Sequence, residues 1–219
     1  MQQIFGTDIV NGLAVIVFLA TFLVVWSTRM HTMVNYYAIQ SLALGLVAAA
    51  IAYFTNSPQI YIVALLTIVI KAVVIPRMLT YIMESIHVER EVELLISVPA
   101  SLLASGGLAI LAYFITEPII LHGAAISRNC LAISIAVVLI GFLLMITRRK
   151  ALTQIIGLMV MENGLFLAAI ALTYGMPMIV EIGVFFDILV GALIMGVFAF
   201  RINRTFETVD TGILRRLRD

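Results

Sequence analysis

The sequence predicts an all-α integral membrane protein with seven transmembrane helices, its N-terminus outside and its C-terminus in the cytoplasm. Three observations carry that expectation. Of 219 residues, 63% are hydrophobic and 11% charged, at a mean hydropathy of +1.16; soluble domains hold about 45–50% apolar and about 25% charged residues. The apolar residues fall in runs of the roughly 20 residues that a membrane helix needs. The basic residues gather on one side of those runs.

The first span, 8–28, follows an N-terminus, "MQQIFGTDIVNGLAV", that lacks the basic stretch of a secretory signal, so the span is expected to be retained. Asp8 falls at its outer end. The second, 33–55, closes on "TNSPQ", a turn whose proline can open the third, 60–84. The segment "ESIHVEREVE" is too charged for hydrocarbon and precedes the fourth span, 94–115. The fifth, 128–147, stops at "TRRK"; the sixth, 151–174, gives way at "YGMPM" to the seventh, 178–202. The tail "GILRRLRD" can lie along the membrane surface as a short basic helix.

Lys and Arg set the orientation. Arg29, Arg90, the run Arg148-Arg149-Lys150, and Arg201, Arg204, Arg215, Arg216 and Arg218 share one side, while Arg128 lies on the other and Arg77 within a span near the basic face. Basic loops stay in the cytoplasm, and an odd number of spans then leaves the N-terminus outside. The Arg148-Arg149-Lys150 run reads as a topology anchor.

Several functions are excluded or made improbable. One cysteine, Cys130, allows neither an intrachain disulfide nor a thiolate cage. His31, His87 and His122 fall in expected connections, away from any intramembrane haem. No Walker loop, nucleophile motif or metal-ligand spacing is present. No cofactor is therefore expected in this chain.

Three ionisable residues remain deep in the spans: Lys71, Glu162 and Asp187. Each costs about 2.5–3.5 kcal/mol at a helix centre, and more without water or a partner. Counted from the outer turns at 1.5 Å per residue, their depths agree to within roughly 5 Å, in one layer near the midplane. Glu181 stands about one helical turn above it, towards the outside. One reading is a structural ion pair of Lys71 with one carboxylate, which leaves the other acid unexplained. The other is a chain of protonatable groups, because low dielectric narrows the gap between charged and neutral forms and so eases proton exchange. Pro76, five residues past Lys71, removes a backbone N–H and deprives the Ala72 carbonyl of its helical donor, which is tolerable where water or protein reaches it. Asn163 can hydrogen-bond across helices, and Gly183, Gly191 and Gly196 are expected to permit close packing.

From Arg148 onward, "RRKALTQIIGLMVMEN" and "FFDILVGALIMG" resemble the K subunit of respiratory complex I and its antiporter relatives. Residues 148–219 thus form a K-subunit-like region following an N-terminal membrane region, 1–147, of four to five helices. Met159 stands at the family's first carboxylate position; Glu162 follows three residues later on nearly the same helix face. Asp187 stands at the second. Over nearly its whole length the chain more closely resembles component E of the hydrogenase-4 type hydrogenases and formate hydrogenlyases, through "IKAVVIPRMLTY", "LMVMENG" and "MIVEIGVFFDILVGALIMGV".

The resemblance implies a non-catalytic subunit of a complex I-related oxidoreductase in the cell (inner or plasma) membrane. Its implied partners are large antiporter-like membrane subunits and a peripheral hydrogenase-type arm, where a nickel–iron site and iron–sulfur clusters would reside. Glu162, Asp187, Lys71 and Glu181 are the expected proton-transfer residues, with Asn163 and Pro76 supporting. The rival expectations are a scaffold subunit without a proton role and a subunit of a cation/proton antiporter-like complex. A light-driven pump is disfavoured because the seventh span has no lysine for a retinal Schiff base.

Overall fold

The computed structural model describes residues 2–85, 94–118 and 128–173, and position 191. Among the described residues, six helices are long and apolar enough to cross a membrane. They are α1 (Gln2–Trp26), α2 (Met30–Thr55), α3, α4 (Val98–Thr116), α5 (Arg128–Thr147) and α6 (Ala151–Thr173). Helix α3 is α-helical over Pro58–Leu66, π-helical over Thr67–Val74 and α-helical again over Ile75–Ser85. The chain is a multi-pass membrane protein. Six of the expected spans appear within a few residues of their expected bounds; the seventh, 178–202, lies outside the described residues apart from Gly191.

The turns form where local chemistry demands them. Asn56 ends α2 in the left-handed conformation, φ 50°, and its N–H closes on the Ala52 carbonyl; asparagine is one of the few side chains that tolerates this geometry. Pro58 then opens α3, where a missing N–H costs nothing. Helix α4 starts at Val98, four residues later than the expected 94. Leu94 instead makes an isolated antiparallel bridge with Arg148, and the Leu95 N–H donates to the Thr147 carbonyl at 2.9 Å. His31, expected in a connection, lies in the first turn of α2.

Helix α5 packs most extensively on α6, α1 on α2, and α4 on α5; α2 also packs on α3 and α6. The buried positions keep a regular seam. On α1 they include Val10, Ala14, Val17, Thr21 and Val24, and on α2 Met33, Tyr37, Gln40, Leu44, Val47 and Ile51. Alternating steps of three and four place these residues on one face, as in left-handed helix pairs. Between membrane helices, where lipid is as apolar as leucine, such seams hold by close packing and hydrogen bonds. At the α5–α6 crossing, glycines let backbone approach backbone. A Cβ at Gly141 would stand 2.5 Å from the Met161 nitrogen, and one at Gly164 2.7 Å from the Val138 nitrogen. At Gly191 nothing among the described residues lies within 4 Å of a Cβ position.

Candidate functional site

Glu162 occupies the inward seam of α6, between Met159 and Phe166, and Lys71 faces it from α3. Lys71 Nζ donates to Glu162 Oε1 at 2.7 Å, with Lys71 2% and Glu162 5% exposed. The ammonium also stands 5.6 Å from the centroid of the Phe166 ring, one turn further along α6, at cation–π range. The structure thus brings these two residues, both expected from the sequence, into direct contact.

Lys71 sits in the π-helical stretch of α3, where the Ile75 N–H reaches back five residues to the Ile70 carbonyl. The sequence suggested an α-helix with a stranded Ala72 carbonyl. The wider register differs for a physical reason: in an α-helix the Pro76 ring would clash with the carbonyl four residues earlier, and a π turn moves that carbonyl away. Pi segments recur at functional sites. Here the segment spans the residues around the buried lysine.

A chain of neutral polar groups continues from the pair. Lys71 Nζ approaches Asn163 Oδ1 at 3.5 Å. Asn163 Nδ2 donates to Gln40 Oε1 at 3.2 Å and to Ser41 Oγ at 3.0 Å. Gln40 Nε2 donates to Thr21 Oγ1 at 2.7 Å, and the Thr21 hydroxyl donates to the Val17 carbonyl at 2.8 Å. Thr21, Gln40, Ser41 and Asn163 are all 0% exposed. The chain links α1, α2, α3 and α6 through their interior.

The geometry permits acid–base chemistry. At 2.7 Å donor and acceptor are within direct proton-transfer reach. Moving one proton from the Lys71 ammonium to the Glu162 carboxylate leaves an amine and a carboxylic acid, removing two charges from a low-dielectric interior. Among the described residues no group of three or more His, Cys, Asp or Glu could hold a metal ion. Asp187 and Glu181 lie outside the described residues.

Among known proteins, the chain is 32% identical over 202 residues to the uncharacterized protein Rv0085 of Mycobacterium tuberculosis, covering 92% of each. It is 28% identical over 213 residues to hydrogenase-4 component E of Escherichia coli K12, covering 97% of this chain and 99% of that one. The same protein of Shigella flexneri matches equally. The chain belongs to the hydrogenase-4 component E family. Residues 129–219 also match the family model of NADH-ubiquinone/plastoquinone oxidoreductase chain 4L. No solved structure matches. In this member of the component E family, the ion pair therefore joins the 4L-like part, through Glu162, to a helix that precedes it, through Lys71.

Three members of the polar chain, Thr21, Gln40 and Ser41, escaped the sequence reading because uncharged residues barely disturb an apolar run. The signal available was positional: Thr21 and Gln40 interrupt otherwise apolar seams. Arg148 also differs from expectation. Arg149 is exposed as an anchor should be, but Arg148 is fully buried, and its Nη2 donates to the Val25 carbonyl at 2.7 Å. That carbonyl lies in the last turn of α1, where helical donors run out. Burial lowers the Arg148 pKa to about 10, so it remains charged at neutral pH.

Proposed function

We propose that this chain is a membrane-arm subunit of a multisubunit complex related to complex I and to hydrogenase-4, and that Lys71 and Glu162 pass protons or govern their passage near the membrane midplane. The single observation that carries the reading is the buried 2.7 Å contact between them, at the π-helical stretch of α3. Full-length similarity to hydrogenase-4 component E supports the setting. Asp187 extends the path beyond Glu162, and Glu181 links it to the outer side. Redox chemistry resides in partner chains, with a nickel–iron site and iron–sulfur clusters in a peripheral arm, and large antiporter-like subunits lie alongside in the cell membrane. Because moving one charge alters the proton affinity of its neighbour, a change at one end of the path is felt at the other.

A second reading rests on the same ion pair: it ties α3 to α6, and the subunit is a scaffold without a direct proton role. One experiment separates the two. The tagged chain is purified in mild detergent with its partners, these are identified by mass spectrometry, and the redox reaction they indicate is assayed in inverted vesicles with a pH-sensitive dye. The proton reading expects Glu162→Gln and Glu162→Gln/Asp187→Asn complexes to assemble and turn over electrons but to lose acidification. Assembled complexes that pump normally would leave the scaffold reading; complexes that fail to assemble would favour it.

A further inference from the structure

We infer that Thr21 and Gln40 are positioning residues: Gln40 directly, and Thr21 through Gln40, set the Asn163 side chain so that its carbonyl, not its amide nitrogen, faces Lys71. The inference follows from counting protons along the chain. The Thr21 hydroxyl has one proton, and its geometry commits it to the Val17 carbonyl, 2.8 Å away. At the 2.7 Å contact with Gln40 the hydroxyl must therefore accept, and Gln40 Nε2 must donate. This turns Gln40 Oε1 towards Asn163, where it accepts from Nδ2 at 3.2 Å. The two protons on Asn163 Nδ2 are then taken by Gln40 Oε1 and Ser41 Oγ. Oδ1 is left turned towards Lys71 Nζ, at 3.5 Å.

Neither amide can turn alone. A flipped Asn163 would aim N–H groups at an ammonium and leave Gln40 Oε1 without its donor, among side chains that are 0% exposed. Leaving a buried polar group unmade costs more than a typical hydrogen bond contributes. A joint flip would require the Thr21 proton to leave Val17. One hydroxyl on α1 thus locks both amides. The consequence bears on the proposed proton role and rests on that reading: when Glu162 takes up a proton and loses its charge, the Asn163 carbonyl remains turned to the Lys71 ammonium as an acceptor.

The geometry itself can be tested without knowing the redox partner. The chain has two lysines, Lys71 and Lys150, so the full chain labelled with [15Nζ]lysine in phospholipid vesicles gives two side-chain nitrogen signals by solid-state NMR. A Lys150→Arg variant assigns them. Thr21→Val is expected to move the Lys71 signal by more than its line width, while Thr21→Ser, which keeps the hydroxyl, leaves it in place. Should Thr21→Val lose its fold, Gln40→Met is read instead with the same expectation. An unmoved Lys71 signal in a folded Thr21→Val or Gln40→Met chain overturns the inference. So does an equal displacement by Thr21→Val and Thr21→Ser, which would assign the effect to packing. If the signals behave as expected while Glu162→Gln complexes still acidify vesicles normally, the positioning stands and the proton role falls.

Discussion

Lys71 and Glu162 are each almost wholly enclosed, at 2% and 5% exposure, so the energetic cost of their charges depends on their being together. A buried pair adds little net stability over well-packed apolar residues, but removing one partner leaves an uncompensated charge and costs about 3–5 kcal/mol. Lys71→Met and Glu162→Leu are therefore expected to lower the thermal midpoint of the detergent-solubilised chain strongly. The double variant Lys71→Met/Glu162→Leu is expected to return close to the parent. If the pair acts in proton transfer, that stable double variant still assembles and does not pump, which separates folding from function at these two positions. The charged members of this site could be recognised from sequence because an ionised group in hydrocarbon carries its own penalty. Thr21 and Gln40 carry only the weaker positional signal of a polar residue in an apolar seam, since their value lies in which neighbours they meet across it.

The element scale is governed by how closely the helices approach. A methyl group at Gly141 would meet the backbone of Met161, 2.5 Å from its nitrogen and 2.7 Å from its Cα; backbone cannot turn aside as a side chain can. Helices α5 and α6 would have to part beside Glu162, the residue that follows. Gly141→Ala is accordingly expected to destabilise the chain by about 1–3 kcal/mol, as overpacking does. Gly106 and Gly107 on α4 provide the control, because among the described residues a Cβ at either meets nothing within 4 Å. Alanine at those positions is expected to be neutral, or stabilising by up to about 1 kcal/mol through better helix propensity. Thermal unfolding of the three variants side by side decides the matter. The spans themselves could be read because length, apolarity and charged breaks are properties of one segment. The glycine contacts depend on a partner helix that composition does not specify. The π stretch "TIVIKAVV" looks like any apolar helix, and only Pro76 hinted that its backbone would depart from the α register.

For the whole molecule the remaining question is which side the polar chain leans towards. The hydrogen bond from Arg148 to the Val25 carbonyl brings the α5–α6 turn beside the end of α1, so Arg29, Arg149 and Lys150 belong to one end of the bundle. The Asn56–Pro58 turn lies at the other. Thr21 is five residues from the end of α1 at Trp26, roughly 8 Å along the axis, whereas Gln40 is ten residues into α2, roughly 15 Å from its start. The polar chain thus descends from the ion pair towards the basic end. Because basic turns remain in the cytoplasm, that end is expected to face inwards. The test uses single cysteines in a Cys130→Ala background, with a membrane-impermeant maleimide on intact cells. Gln59→Cys, exposed in the first turn of α3, is expected to label directly. Arg149→Cys, also exposed, is expected to label only after the membrane is opened. That pattern would place Thr21 and Gln40 on the cytoplasmic side of Lys71, so that the groups which position the lysine lie on the inner approach. The reverse pattern would put them on the outer approach and reverse the direction in which protons meet the pair.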